Sequence, residues 1–175
     1  MDRLLFEFFH QYAGQWKWLD AIAVFMSGNA GYVLLFVFAL ILFKAAKTRW
    51  PLLFCAVLAI LFSRLMLTEI IRFLWERPRP FVEPSFTPLI QHAASSSFPS
   101  GHAALYFALS AVVFAYHKKI GILFFVVSFA IGLARIFAGL HWPSDIIGGA
   151  LIGIVSGFAV VEFSKRRKEK SGSAA

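Results

Sequence analysis

The sequence predicts an all-α integral membrane protein, a helical bundle of about five transmembrane helices preceded by an interfacial amphipathic helix. Three observations predict this class. Of the 175 residues, 59% are hydrophobic and 15% are charged, whereas a soluble domain is about 45–50% apolar and about a quarter charged. The mean hydropathy is +0.74. Long apolar runs alternate with short basic clusters. Together these features exclude an ordinary soluble globular domain.

The first segment, residues 1–16, is predicted to be an amphipathic helix that lies on the membrane surface. Its apolar residues recur at helical spacing, and polar residues occupy the positions between them. The apolar residues are Leu4, Leu5, Phe8, Phe9 and Tyr12. The segment is too short and too charged to cross a bilayer. Its charges are scattered and no small-residue cleavage site follows, so a signal peptide is not predicted.

Five apolar runs follow, and each is a candidate transmembrane helix. A spanning helix needs roughly 20 apolar residues, although shorter runs suffice where the bundle covers them. The runs cover residues 21–43, 51–75, 103–117, 120–138 and 146–163. The membrane-embedded domain is therefore predicted to extend over residues 17–164. The basic tail, residues 165–175, is predicted to be cytoplasmic and disordered.

Basic residues indicate the orientation of the spans. Ten of the 17 Lys and Arg residues lie in three clusters beside the apolar runs. They are Lys44, Lys47 and Arg49; Lys118 and Lys119; and Lys165, Arg166, Arg167, Lys168 and Lys170. Such clusters mark cytoplasmic ends of spans, so the net charge of +8 reflects the membrane and not nucleic acid. Residues 76–100 and 139–145 are then extracytoplasmic, as is the N-terminus.

The second span carries a polar stripe. Arg64, Thr68 and Arg72 follow one another at intervals of four residues, and Glu69 lies three residues before Arg72. Charged groups in hydrocarbon cost about 2.5–3.5 kcal/mol each, so this stripe is expected to face the bundle interior. Arg64 and Glu69 have an alternative interpretation as a structural ion pair that locks two helices. Arg72 lies nearest the polar connection and is favoured as a functional residue.

The polar connection after this span begins with two arginines, Arg77 and Arg79, each followed by proline. Proline restricts its own backbone and that of the residue before it, so both arginines are expected on a rigid, non-helical segment. A planar guanidinium group suits bidentate binding of phosphate or carboxylate. Anchoring in lipid headgroups is the alternative, above all for Arg77.

The same connection ends in Pro99, Ser100, Gly101 and His102, directly before the third span. Ser100 is a predicted N-cap. If it caps the helix, the free amide groups of Gly101 and His102 favour an anion at the helix N-terminus. Alone, this tetrapeptide is also consistent with an ordinary helix start.

The last connection supplies Arg135, His141 and Asp145. One helical turn separates His141 from Asp145, so the carboxylate can fix the imidazole tautomer, although a merely structural contact is an open alternative. Combined, the three segments bring three arginines, two histidines and a carboxylate to one membrane face. Phosphoryl transfer fits this set, because its transition state spreads negative charge over several oxygens. A metal centre fits less well, since the arginines would repel a divalent cation.

These residues resemble the motifs of the type-2 phosphatidic acid phosphatase superfamily of membrane lipid phosphatases. The first family motif, Lys, six residues, Arg-Pro, is matched by Arg72 and by Arg79-Pro80, with Arg72 in place of the lysine. The second motif, Pro-Ser-Gly-His, is present unchanged from Pro99 to His102.

The third family motif is Ser-Arg, five residues, His, three residues, Asp. It is matched by Arg135, His141 and Asp145, with Ala134 in place of the serine. The resemblance covers roughly residues 20 to 165. It implies that His141 is the nucleophile that forms a phosphohistidine and that Asp145 holds its ring.

The resemblance also implies that His102 is the general acid, and later the base that activates water. The phosphate would be bound without a metal ion or another cofactor. The implied phosphate ligands are Arg72, Arg79, Ser100, Gly101 and Arg135.

Within the superfamily, the small size and the segment from Leu89 to Ser100 are most similar to the BcrC-type undecaprenyl diphosphate phosphatases of bacteria. This implies hydrolysis of undecaprenyl diphosphate to undecaprenyl phosphate on the outer face of the cytoplasmic membrane, which recycles the lipid carrier of peptidoglycan. The enzymatic alternative is a phosphatidic acid or phosphatidylglycerol phosphate phosphatase. A lipid headgroup binding or translocating protein is the non-enzymatic alternative.

The expected partners are a polyprenyl or glycero-lipid phosphate substrate and the membrane lipids, without nucleic acid. A homodimer is suggested by Gly149, Gly153 and Gly157, a line of small residues that permits close helix approach. Packing inside the bundle is the favoured alternative for this line. Three histidines outside the motifs are expected on the surface or in loops: His10, His92 and His117.

Overall fold

The computed structural model describes residues 1–45, 47–83 and 85–172, and this part of the chain contains helices and no strand. The predicted all-α class is confirmed. The helices are α1 Asp2–His10, α2 Lys17–Gly28, α3 Ala30–Lys44, α4 Arg49–Ile60, α5 Thr68–Leu74, α6 Gly101–Tyr116, α7 Lys118–Phe137 and α8 Pro143–Gly172. A π-helical segment, Leu61–Leu67, joins α4 to α5, and a short 3-10 turn, Pro80–Val82, follows α5.

Apolar helices cover all five predicted runs, but in the described part of the chain only three to four segments are long and apolar enough to cross a membrane. Three of them, Arg49–Leu74, Lys118–Phe137 and Pro143–Lys170, are long and apolar enough to cross a membrane. The first predicted span is instead a pair, α2 and α3, that together pass the same criteria but bend by 49°. The third is α6, a shorter apolar helix of 16 residues. The protein is thus an integral membrane helical bundle.

Helix α6 forms the centre of the bundle and packs against α4, α7 and α8. Its closest neighbour is α8, whose small residues Gly149, Gly153 and Gly157 face it. A Cβ atom on Gly153 would lie 2.5 Å from the carbonyl oxygen of Ala104 and 2.8 Å from the amide nitrogen of Ala108. The glycine line therefore serves packing inside the bundle, which was the favoured alternative to a dimer face.

Helix α1 forms within the predicted segment but ends at His10, short of residue 16, and one of its faces packs on the bundle. Phe6, which is outside the apolar stripe seen in the sequence, is fully buried. Its ring lies 5.0 Å from that of Trp142 and 4.9 Å from that of Phe86, between ring centroids. Leu4 and Phe8 remain exposed. The helix therefore docks on the bundle through the face opposite to much of its apolar stripe.

Helix α8 corrects the prediction of a disordered tail. The helix continues without a break to Gly172. Arg166 donates to Glu162 one turn earlier at 2.8 Å, and positive charge near a helix C-terminus is favoured by the helix dipole. These local interactions favour the helical conformation of this segment, in which residues 165–170 are exposed. Residues 173–175 of the predicted tail lie outside the described part of the chain.

The two polar connections lie at one end of the bundle, and the basic clusters lie at the other end. Helices α5 and α7 end, and α6 and α8 begin, beside the two polar connections. The three basic clusters lie at the opposite ends of these same helices, where Trp50 of α4 faces Arg167 and Lys168 of α8 across a cavity. The proposed reaction site is consequently built at the end of the bundle that is remote from the basic clusters.

Candidate active site

His141 lies at the centre of the polar residues that the three motifs contribute. Its Nδ1 atom is 3.3 Å from Oδ2 of Asp145, and both side chains are buried. Asp145 occupies the first turn of α8, and its Oδ2 atom also accepts a hydrogen bond from the amide of Trp142 at 2.9 Å. The contact that the four-residue spacing predicted is therefore formed. A carboxylate at Nδ1 favours the tautomer in which Nε2 carries the lone pair.

The surroundings of His141 keep its imidazole neutral. Complete burial, followed by the positive charges of Arg135 and Arg79, holds the pKa of His141 well below the ordinary histidine value. A neutral imidazole with a free lone pair on Nε2 is the form that can attack phosphorus. The electrostatic environment thus suits the nucleophile role implied by the sequence.

Arg79 lies directly beside that lone pair. Its Nη1 atom is 3.2 Å from Nε2 of His141 and donates to the carbonyl oxygen of Leu140 at 3.0 Å, while Nε donates to that of Ser95 at 3.0 Å. The residue has the extended backbone expected before Pro80. Burial, with a contribution from Arg72, lowers the pKa of Arg79 to about 10. The guanidinium therefore remains charged at neutral pH.

Arg135 supplies two buried donors to the site. Its Nη1 atom donates to the carbonyl oxygen of Ser27 at 2.9 Å. Its Nε and Nη2 atoms are buried and have no hydrogen-bond partner among the residues that the structure describes. A buried donor without a partner costs about 1–3 kcal/mol, so this adjacent pair is suited to a buried anion. The sequence motif includes Arg135 but gives no signal for Ser27, because a backbone carbonyl has no residue signature.

Arg72 connects the second span to the second motif. Its Nε and Nη2 atoms donate to the carbonyl oxygen of Pro99 at 3.2 and 3.0 Å, and its Nη1 atom is 3.3 Å from Oε1 of Glu69. Glu69 also pairs with Arg64. Both partners of the Arg64–Glu69 pair come from one continuous span, so the pair does not lock two helices together. Arg64 instead packs beside Gly101 of the next helix.

Ser100, Gly101 and His102 form the start of α6. Ser100 is the N-cap, as predicted, and its hydroxyl accepts from the amide of Ala103 at 3.5 Å. Its own amide donates to the carbonyl oxygen of Asp145 at 3.0 Å, which joins the second and third motifs. The imidazole of His102 forms no hydrogen bond with any residue that the structure describes. It is available for a ligand.

The sequence pattern of the PAP2 superfamily matches residues 53–169, a stretch that contains all three motifs. The chain belongs to the PAP2 superfamily. It is 32% identical over 157 residues to the "Bacitracin transport permease protein BcrC" of Bacillus licheniformis, covering 89% of this chain and 76% of that protein. It is 31% identical over 166 residues to the "Undecaprenyl-diphosphatase BcrC" of Bacillus subtilis (strain 168), covering 94% and 84%.

Two further proteins are similar to this chain, one in its solved structure and one in its sequence. Aquifex aeolicus LpxE superposes on this chain with a TM-score of 0.72 at 29% identity, covering 90% of this chain and 93% of that one. The Phosphatidylglycerophosphatase B of Bacillus subtilis (strain 168) is 34% identical over 98 residues, which is 50% of this chain and 48% of that protein. The protein is accordingly a membrane-embedded phosphatase of the PAP2 superfamily.

Arg77 has a different position from the one expected for a headgroup anchor. Its Nη1 atom is 2.8 Å from Oδ1 of Asp145, and its Nη2 atom is 2.5 Å from Oδ2 of Asp2. Burial alone would raise the pKa of Asp2, but hydrogen bonds from Ser144 and Arg77 outweigh it and hold that pKa below its usual range. Sequence reasoning missed Asp2, because residues far apart in the chain gave no signal of this contact.

The histidines outside the PAP2 motifs are placed differently from one another. His92 is exposed in the first polar connection, as expected. His10 is partly buried, and its Nδ1 atom donates to the carbonyl oxygen of Phe137 at the end of α7 at 2.8 Å. His117 lies between α6 and α7, and its buried Nε2 atom has no hydrogen-bond partner within residues 1–45, 47–83 and 85–172. Across the described ranges, no group of three or more His, Cys, Asp or Glu side chains is placed to hold a metal ion.

Proposed function

We propose that this PAP2 phosphatase hydrolyses undecaprenyl diphosphate to undecaprenyl phosphate through a phosphohistidine formed on His141. The observation that carries the chemistry is the arrangement around that imidazole. A buried, neutral His141 lies between the carboxylate of Asp145 and the guanidinium of Arg79. The buried unpaired donors of Arg135 supply binding capacity for an oxyanion.

In the first step, Nε2 of His141 attacks the terminal phosphorus. A phosphorus–nitrogen bond forms while the bond to the bridging oxygen breaks, and that oxygen takes a proton from His102. The imidazole of His141 becomes positively charged in this step. Asp145 stabilises that charge, because its carboxylate accepts from the Nδ1 hydrogen throughout.

In the second step, His102 takes a proton from a water molecule, whose oxygen attacks the same phosphorus. The phosphorus–nitrogen bond breaks, and inorganic phosphate leaves with the electron pair returned to Nε2 of His141. His102 thereby regains the proton that it gave up in the first step. The two steps together consume only the lipid substrate and one water molecule.

The phosphate is bound by groups that differ in how much they must rearrange. Arg135 offers donors that are free before the substrate arrives. Arg72 and Arg79 already donate to backbone carbonyl oxygens, which hold their guanidinium groups in place. The amides of Gly101 and His102 lie at the start of α6, where the helix dipole favours negative charge. Ser100 completes the set as the N-cap.

The choice of undecaprenyl diphosphate is supported by the similarity to the two BcrC proteins over most of the chain. A phosphatidic acid or phosphatidylglycerol phosphate phosphatase is the second candidate, supported by the similarity to Phosphatidylglycerophosphatase B. A protein that only binds or translocates lipid headgroups is not favoured, because binding alone does not require the His141–Asp145 pair together with His102. We also propose that the site faces the outside of a bacterial cytoplasmic membrane, as the basic clusters at the opposite end indicate.

A panel of purified lipids in detergent tests the substrate. Phosphate release is measured from undecaprenyl diphosphate, phosphatidic acid and phosphatidylglycerol phosphate at matched surface concentrations. The highest kcat/KM is expected with undecaprenyl diphosphate. A higher value with either glycerophospholipid would replace the first candidate with the second, and no release from any of them would favour a binding protein.

A further inference from the structure

The N-terminal helix α1 brings a second carboxylate, that of Asp2, to the edge of the reaction site. We propose that Asp2 is a positioning residue for catalysis, which acts through Arg77 to hold the carboxylate of Asp145 against His141. This inference rests on the roles proposed above for His141 and Asp145. It assigns a catalytic purpose to α1, which the three motifs do not include.

A continuous series of contacts joins Asp2 to the nucleophile. Oδ2 of Asp2 is 2.5 Å from Nη2 of Arg77, and Nη1 of Arg77 is 2.8 Å from Oδ1 of Asp145. Oδ2 of Asp145 is in turn 3.3 Å from Nδ1 of His141. The two ends of one guanidinium group therefore bind two carboxylates. Charge-assisted contacts of this kind fix direction as well as distance.

Asp2 makes a second attachment one residue before Asp145. Its Oδ1 atom accepts from the amide of Ser144 at 2.9 Å, and its Oδ2 atom accepts from the Ser144 hydroxyl at 2.6 Å. The amide belongs to the first turn of α8, where backbone donors lack partners within their own helix. A carboxylate at this position is also favoured by the helix dipole. Asp2 thus fixes the turn from which Asp145 projects.

Contacts further along α1 keep Asp2 in place. Phe6 is fully buried against Trp142, the residue that follows His141. The indole nitrogen of Trp142 donates to the carbonyl oxygen of Pro78 at 3.0 Å, beside Arg77. At the end of α1, the side chain of His10 donates a hydrogen bond to the last residue of α7, Phe137. Helix α1 is therefore held by residues that are direct neighbours, in the sequence, of His141 and Arg77.

Loss of the Asp2 charge should affect the reaction more than substrate binding. Arg77 would keep one carboxylate partner of two and would lose the anchor that directs Nη1 toward Asp145. A misdirected Asp145 stabilises the charged imidazole of the phosphohistidine less well. In the described part of the chain, the side chain of Asp2 bonds to Arg77 and Ser144 and to none of the proposed phosphate ligands, so KM should remain close to the wild-type value. A role in folding alone would lower stability without this division between kcat and KM.

The test compares Asp2→Asn with Glu7→Gln, assayed as phosphate release by the full-length enzyme in detergent. The two substitutions make the same kind of chemical change, acid to amide, on the same helix, but the side chain of Glu7 pairs with the exposed Arg3. Asp2→Asn is expected to lower kcat by about ten- to a hundredfold, the range for loss of a charge-assisted hydrogen bond, with KM within about twofold. Glu7→Gln should match wild type. Equal kcat values for the two variants would overturn the proposal.

A double-mutant cycle with Arg77→Ala tests the route of the effect. If Asp2 acts through Arg77, then Asp2→Asn should lower kcat little further in the Arg77→Ala background. Fully additive losses would contradict that route. Should Asp2→Asn fail to fold, Arg77→Lys replaces it, because lysine keeps the charge but lacks the fork that reaches both carboxylates. An unchanged kcat in Arg77→Lys would overturn the proposal.

His141→Ala in the same assay separates this inference from the function beneath it. If His141→Ala is inactive while Asp2→Asn equals wild type, only the role of Asp2 is wrong. If His141→Ala retains the wild-type rate, the proposed nucleophile is wrong whatever Asp2 does.

Discussion

Nε2 of His141 and Nη1 of Arg79 lie 3.2 Å apart in the buried centre of the site. The proposed nucleophile thus has a permanent cation beside its reactive lone pair. Burial and Arg135 do most to keep the imidazole neutral, and the Arg79 cation adds to their effect. The same cation is placed to bind a phosphate oxygen at the position where phosphorus must approach. The same guanidinium therefore prepares the nucleophile and receives the charge of the transition state.

Replacement of Arg79 by alanine or lysine is expected to lower kcat by about a hundred- to a thousandfold, as for loss of a preorganised oxyanion donor. Lysine should not rescue, because a point charge cannot reach the carbonyl oxygens of Ser95 and Leu140 together with a phosphate. Phosphate release under saturating substrate measures the effect. Activity of Arg79→Lys near the wild-type value would show that charge alone suffices.

The pH dependence of kcat/KM should report the depressed pKa of His141. Catalysis needs the neutral imidazole, so activity is lost as the pH falls through its pKa. Since that pKa lies well below the ordinary value, the acid limb should lie below about pH 6.5, the usual histidine range. Arg79→Gln removes a neighbouring cation and should move this limb to higher pH. The shift should be modest, because burial and Arg135 contribute more to the depressed pKa than Arg79 does. An acid limb that moves to lower pH in Arg79→Gln would contradict the electrostatic contribution of Arg79.

Substitution of Gly153 by alanine should destabilise the bundle by about 1–3 kcal/mol, the usual cost of overpacking. The new Cβ would meet the backbone of α6, which cannot move aside as a flexible side chain can. Gly28→Ala is the matched control, because the space around its Cβ is open. Thermal unfolding in detergent measures both. A loss of dimer without a lower Tm in Gly153→Ala would instead favour the dimer interpretation of the glycine line.

The orientation can be tested by cysteine labelling. The native Cys55 is buried, so Cys55→Ser provides a background in which Gln91→Cys or Lys119→Cys is the single thiol. Both positions are exposed and lie toward opposite ends of the bundle. A membrane-impermeant maleimide on intact bacteria should label Gln91→Cys and not Lys119→Cys. The reverse pattern would place the site on the cytoplasmic side.

Local features of the site could be predicted from the sequence because short-range geometry determines them. The four-residue spacing of His141 and Asp145 fixes their contact on one helical turn, and Ser100 caps α6 because its side chain reaches the following amide. Both of these local contacts require only the regular geometry of helices and turns. The proposed phosphate-binding roles of Arg79 and Arg135 come instead from the resemblance to the family motifs.

Contacts between distant segments could not be predicted in this way. The burial of Phe6 depends on a pocket formed by Trp142 and Phe86, and no periodicity within α1 indicates that pocket. The partners of Arg77 depend on where α1 docks, so the residue alone suggested a lipid anchor. Ser27 contributes a backbone oxygen at the bend between α2 and α3. Any residue type offers such an oxygen.

The central claim is that His141 carries the phosphoryl group, and trapping that intermediate tests it most directly. The enzyme is mixed with undecaprenyl diphosphate labelled with ³²P in the terminal phosphate, quenched rapidly in alkali, and digested for peptide analysis. We expect transient label on the peptide that contains His141, and none in His141→Ala, which should also release no phosphate. Label on another residue, or phosphate release by His141→Ala at the wild-type rate, would contradict the account.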